Sequence, residues 1–147
     1  VSLLATVVLY GFVSDAFVRE IRYDAAELPA NTGVRIDSYR LVRTGIDQPG
    51  FASYGPYSPL RRGGYEVIFN YSSPAGLGVP VGWVDIYNAS SGDKITQVPI
   101  FGTNDVDAEK AIAFELQQSA VNYMEFRTYW NGLADVRLNH IFIRSGR

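Results

Sequence analysis

The 147-residue sequence has no cysteine, so disulfides and thiol chemistry are closed to it in any compartment. Histidine occurs once, as His140, inside an apolar strand-like run where it reads as a structural imidazole rather than a catalytic one. Charge is also sparse. Charged residues make up 19% of the chain, and 13 basic against 15 acidic side chains leave a formal charge of -2. Such balance gives no long-range attraction to nucleic acid or anionic lipid. Arg61-Arg62 is the one adjacent basic pair and reads as a solvent-facing turn. No nucleophile, base and acid stand in a recognisable arrangement. Asp105, Asp107 and Glu109 imitate a paired-carboxylate site but fall in a polar connection, so a non-enzyme is expected. A βαβ rhythm, a phosphate-cradling glycine motif, coiled-coil heptads and a simple internal repeat are all missing.

What is present is the chemistry of strands and tight turns. Hydrophobic residues make up 47% and aromatics 14%, with ten tyrosines and 14 glycines. The length suits one domain that folds without a metal or disulfide. Tyr65, Val67 and Phe69 alternate with Glu66, Ile68 and Asn70 between turns. Trp83, Asp85 and Tyr87 alternate with Val84, Ile86 and Asn88, and Ser90 to Asp93 turns the chain into a strand at Lys94 to Ile100. Ala111 to Leu116 fits a strand better than a helix, because a lone helix breaks the all-β spacing. Tyr123 to Trp130 and Ala134 to Arg144 form a last pair joined at Asn131-Gly132, a dipeptide suited to a tight reversal. In the final strand, Val136, Leu138, His140 and Phe142 are expected on one face, with Arg137, Asn139, Ile141 and Ile143 on the other. Pro29 to Gly50 reads as loops around one strand near Tyr39 to Val42. About eight short strands result, at a spacing like that of a sandwich.

The N-terminus is different. Val1 to Val13 carries no charge, yet is too short to cross a bilayer as a helix, which takes about 20 residues. Three readings stay open: a truncated membrane anchor, the remnant of a signal region, or a strand. As a strand it places Val1, Leu3, Ala5, Val7 and Leu9 on one face, a set able to complete a neighbouring copy's sandwich. Ser14 is a candidate helix cap, and Ser14 to Leu28 is expected to hold a helical turn followed by a strand through Val18 to Tyr23.

Three segments in order carry a family resemblance: Tyr23 to Leu28 running on to Thr32-Gly33, then YGPYSPLRRGGYEVIFNY from Tyr54 to Tyr71, then MEFRTYWNGLADVRLNHIFI from Met124 to Ile143. Together they resemble a carbohydrate-binding-module-like jelly-roll domain from about Tyr23 onward. The resemblance implies an all-β, jelly-roll-like antiparallel β-sandwich over residues 23–147; it omits residues 1–22, which the uncharged run marks as a hydrophobic N-terminal extension or assembly strand plus linker. It also implies a non-catalytic extracellular or cell-surface module. The partner expected from the resemblance is a glycan; the uncharged Val1 to Val13 segment supports the alternative, neighbouring copies of the chain in a surface filament. Related sandwiches hold calcium through early acidic residues, matched here by Asp24 and Glu27, with Asp135 as a third oxygen ligand. Calcium takes roughly six to eight oxygens, and Ala25-Ala26 interrupts the acidic spacing. A structural calcium is therefore left open, and no other cofactor is implied.

A sugar-binding face needs rings to stack on pyranose C–H groups and polar groups to meet hydroxyls. The candidates are Trp83, Tyr87, Arg127, Trp130 and Asn131, with Tyr129, Asp85, Asn88 and Asp135 nearby in sequence. Trp130 ranks first because it adjoins the Asn131-Gly132 turn. The competing use of each ring is core packing, and Arg127 can equally pair with a carboxylate on a neighbouring strand. Alternation puts Arg127 and Tyr129 on the face opposite Phe126, Thr128 and Trp130, so Tyr129 and Trp130 cannot share one platform without a bulge. Asn70-Tyr71-Ser72 and Asn88-Ala89-Ser90 match the glycosylation pattern, which is short and often accidental.

Overall fold

The computed structural model describes residues 5–13 and 16–146; Val1, Leu3 and Ser14 lie outside them. The described residues form twelve strands: β1 (Ala5–Val13), β2 (Ala16–Asp24), β3 (Val34–Ile36), β4 (Tyr39–Val42), β5 (Gly50–Ser53), β6 (Pro56–Leu60), β7 (Gly63–Ser72), β8 (Pro80–Asn88), β9 (Asp93–Phe101), β10 (Ala108–Leu116), β11 (Asn122–Trp130) and β12 (Val136–Ser145). All pairings are antiparallel and they make two sheets.

In the seven-stranded sheet β12 is the hub. One edge of β12 pairs with β7, which in turn pairs with β10; the other edge pairs with β2 along its C-terminal half and β4 along its N-terminal half. In the five-stranded sheet β11 is the hub, with β8 and then β9 on one side and β5 and β6 sharing the other. The inner faces meet in one apolar core. Val67, Phe69 and Tyr71 of β7, with Ile112, Phe114 and Leu116 of β10, pack towards Val84 and Ile86 of β8 and Met124, Phe126 and Trp130 of β11. Each set recurs at every second residue, as burial of one strand face requires.

Several expectations change on contact with the fold. The segment after Ser14 is not helical: residues 16–24 form a strand, because Arg19 to Asp24 find ladder partners in Ser145 to His140. Only a single 3₁₀ turn follows, at Ala25–Glu27. The expected boundary between residues 22 and 23 falls within β2, whose Ile21 packs against the core. The strand count exceeds eight because β3, β5 and β6 arise in turn-rich sequence, where pairing with neighbours supplies what local pattern lacks.

Two further corrections concern the C-terminus. β11 and β12 are not a hairpin, since they belong to opposite sheets. Asn131 to Asp135 carries the chain across the edge of the sandwich, held by Thr44, whose hydroxyl donates to the Gly132 carbonyl and whose amide donates to Asp135. The face of β12 also changes midway. A register shift between Leu138 and His140 turns Ile141 and Ile143 inwards, to 5% and 2% exposure, while His140 and Phe142 stay half-buried. One extra residue in a ladder reverses every side chain after it. His140 then stacks edge-on against Phe142 at 4.7 Å, and burial together with the nearby Arg22 charge pushes its pKa down.

Candidate functional site

The outer face of the five-stranded sheet gathers side chains that lie far apart in sequence. Strict alternation in β8 turns Trp83, Asp85 and Tyr87 outwards while Val84 and Ile86 fill the core. In β11 it turns out Glu125, Arg127 and Tyr129. The β8–β11 register then sets Tyr129 opposite Trp83, Arg127 opposite Asp85 and Glu125 opposite Tyr87. From β5, Phe51 pairs with Tyr129; from β9, Lys94 pairs with Tyr87.

The rings form one connected strip. Trp83 and Tyr129 stack with centroids 5.1 Å apart and planes 9° from parallel. Phe51 stands perpendicular to both, at 5.7 and 5.5 Å. These are the offset-stacked and edge-on geometries that the ring quadrupole favours. The Lys94 ammonium lies over Trp83 at 4.9 Å, and the Arg127 guanidinium lies over Tyr87 at 4.3 Å and Phe51 at 5.0 Å. Phe51, Trp83, Tyr87, Arg127 and Tyr129 are all half-buried, so each keeps a solvent-facing rim. Among the described residues the Tyr87 and Tyr129 hydroxyls have no hydrogen-bond partner, which leaves both open to a ligand hydroxyl.

Beneath the strip sits Asp85, with no exposed surface. Arg127 grips it side-on through Nε to Oδ1 at 2.9 Å and Nη2 to Oδ2 at 2.6 Å, and Lys94 approaches to 3.8 Å. This hydrogen bond, opposed in part by burial, holds the guanidinium pKa above its ordinary value. Both the ligand and the carboxylate-pairing readings of Arg127 are therefore compatible with its geometry. The fork faces the carboxylate, and the plane stacks between two rings.

Next to the strip, Glu125 accepts the Gly55 amide at 3.1 Å. Tyr57 has a left-handed backbone, with φ of 67°, and its phenol pKa is pushed up by burial and then by Glu125. Gly82 sets the spacing of the whole strip. A Cβ on Gly82 would collide with the Tyr129 carbonyl oxygen, so only glycine lets β8 and β11 close up where Trp83 meets Tyr129. Gly82→Ala is expected to lower unfolding free energy by about 2 kcal/mol, read from the urea midpoint. A midpoint equal to that of the parent chain would show that the two strands need no such close approach.

The other sequence candidates are placed elsewhere. Trp130 is 1% exposed and its indole N–H donates to the Ala134 carbonyl at 2.7 Å, so it offers no ring to a ligand. Asn131 donates to the Pro80 carbonyl and accepts the Leu133 amide, building the loop beside it. Asp24, Glu27 and Asp135 are not brought together. Asp24 pairs with Arg22, Glu27 with Arg35, and Asp135 accepts the Thr44 amide. Among the described residues no three His, Cys, Asp or Glu side chains gather as a metal site, so the acidic triplet does not fit calcium. Asn88 is buried and its amide donates to Asn122, and the Asn70 side-chain oxygen accepts from Asn139, so both asparagines serve the fold. Sequence reasoning missed Phe51, Lys94, Glu125 and Tyr57. Phe51 follows a Pro-Gly turn signal, and only the cross-strand register brings Lys94 to the β8 rings.

Fold and strip together define a two-sheet antiparallel β-sandwich with an aromatic outer face. No protein-family model matches the chain, and no curated protein sequence does. Solved structures to which the chain is similar include a carbohydrate-binding module from Cellvibrio mixtus lichenase 5A in complex with cellotriose, at 12% identity and a TM-score of 0.44, covering 96% of this chain and 88% of that one. A family 35 carbohydrate-binding module from Clostridium thermocellum is similar at 16% identity and a TM-score of 0.48, with 83% and 96% covered. The module CBM36 in complex with calcium and xylotriose is similar at 9% identity and a TM-score of 0.46, with 82% and 96% covered.

Proposed function

We propose that the chain is a non-catalytic carbohydrate-binding module that acts outside the cytoplasm and holds a glycan along the outer face of β8 and β11. The observation that supports this best is the strip itself: Phe51, Trp83 and Tyr129 in mutual contact, Tyr87 joined to Phe51 through the Arg127 guanidinium, Lys94 over Trp83, and two unengaged tyrosine hydroxyls. Ring rims supply apolar contact for pyranose C–H groups, while the hydroxyls and the Lys94 ammonium meet sugar oxygens. The face is open rather than enclosed, so single-site affinity is weak and repeated presentation strengthens it.

The test is a calorimetric and fluorescence titration with soluble xylo-, cello- and laminari-oligosaccharides. Trp130 is buried, so a binding-induced change in emission reports on Trp83. Trp83→Ala and Tyr129→Ala are each expected to weaken binding by about tenfold or more, and EDTA to leave it unchanged. Undiminished binding in both variants, with circular dichroism intact, would move the site off this face.

The alternative is a filament subunit joined by donor-strand exchange. It draws support from β1, which ends the seven-stranded sheet with its outer edge unpaired among the described residues. Against it stands the register of β1 on β2 of the same chain, where Ala5, Val7 and Leu9 lie opposite Tyr23, Ile21 and Arg19. A monodisperse monomer in the titration sample removes the assembly reading; a ladder of oligomers favours it.

A further inference from the structure

A second concavity lies beyond Tyr57, away from the stacked rings. It is open, has a volume of about 450 Å³, and is lined by Glu27, Pro29, Arg35, Arg40, Pro56 and Tyr57 among others. Its charge is lopsided. Arg35 and Arg40 stand directly opposite each other on β3 and β4, a pairing of like charges that cross-strand neighbours ordinarily avoid. Glu27 answers only one of them, through a 3.6 Å ion pair with Arg35. Arg40 meets a single acceptor among the described residues, the Leu28 carbonyl at 3.3 Å, and its buried Nε has no partner. A guanidinium has five N–H donors, and leaving a buried one unmet is costly. The pKa of Arg40 is lowered by burial and then by Arg35, the direction expected for a cation short of counter-charge.

We infer that this concavity is an oxyanion-binding site for a small organic acid, with Arg35 and Arg40 holding its carboxylate and the Pro29, Pro56 and Tyr57 surfaces accommodating a ring-sized body. One negative charge balances the lining, since two arginines face one glutamate. A planar carboxylate matches the guanidinium fork better than a point charge does. Tyr57 is also the wall between this cavity and the Glu125 side of the aromatic strip, and 45% of its surface is exposed. The site stands apart from the strip and does not depend on the strip binding sugar.

The experiment is an NMR titration of the full chain with sodium glucuronate, sodium sulfate and glucose, at constant ionic strength. Glucuronate is expected to shift the amides of Glu27, Leu28, Arg35, Arg40 and Tyr57 saturably, with glucose leaving them still. Arg35→Gln and Arg40→Gln are each expected to weaken that response by about tenfold or more. Arg35 is exposed and tolerates replacement, so it keeps the test decisive if Arg40→Gln fails to fold. Saturation by sulfate as tightly as by glucuronate would overturn the assignment to an organic acid, leaving the two arginines a site for free inorganic anions. Non-saturable shifts, shifts by glucose of equal size, or an unchanged response in Arg35→Gln would overturn the proposal. The oligosaccharide titration of the strip is unaffected by Arg35→Gln in every case, so the two sites fail independently.

Discussion

Arg127→Met is expected to cost the fold about 3 kcal/mol in urea unfolding at neutral pH, a large effect for a position on the outer face of a sheet. The reason lies beneath the side chain. Asp85 has no exposed surface and takes both of its short hydrogen bonds from Arg127. Methionine keeps much of the apolar contact with Phe51 and Tyr87 but leaves a buried carboxylate with only Lys94, 3.8 Å away and on an exposed stem. Desolvation of the carboxylate, which the guanidinium had offset, is then uncompensated. Pairing the change with Asp85→Leu should return most of the loss, because removing both charges also removes the unmet one. A single mutant within about 1 kcal/mol of the parent chain would mean that Lys94 suffices. Arg127→Lys is expected to fall between, since an ammonium cannot reproduce the two-bond fork.

The neighbouring Tyr129-Trp130 pair should separate just as sharply. Trp130→Ala is expected to lower stability by about 3–5 kcal/mol, a substantial part of what a domain of this size possesses. Its ring is among the largest fully buried groups, and its loss also strips the Ala134 carbonyl of its donor. Tyr129→Ala removes stacking with Trp83 and Phe51 on an outer face and is expected to cost about 1 kcal/mol. The consequence for binding runs the other way: sugar affinity falls with Tyr129 and survives conservative repacking of Trp130, such as Trp130→Phe. Comparing urea midpoints of the two alanine variants tests the assignment. Equal costs would place both rings in similar surroundings and undo the inside–outside distinction on β11.

The same pair shows how far local pattern reaches. A strand turns successive side chains to opposite faces, so Trp83, Asp85 and Tyr87 were readable as one row and Arg127 and Tyr129 as another. Which row faces water was not readable, because both faces of β11 carry aromatics. Trp130 looked favourable from its neighbouring turn, yet its partner is a carbonyl across the loop at Ala134. In β12 the alternation read straight through failed at Leu138–His140, where one inserted residue moved Ile141 and Ile143 into the core. A bulge answers to the geometry of the neighbouring strands and leaves no fixed mark in composition.

The sequence by itself determined a sandwich of short strands without disulfides, and much of its binary pattern of buried and exposed residues. These follow from composition, turn residues and the two-residue period, which are properties of the chain within a few residues of itself. Tertiary structure alone decided that β11 and β12 lie in opposite sheets, that Asp24, Glu27 and Asp135 stay apart, and that Phe51 and Lys94 join Trp83. Each depends on pairing between segments tens of residues apart. Such register is fixed by burying the whole inner face at once, and no short stretch of sequence encodes it alone.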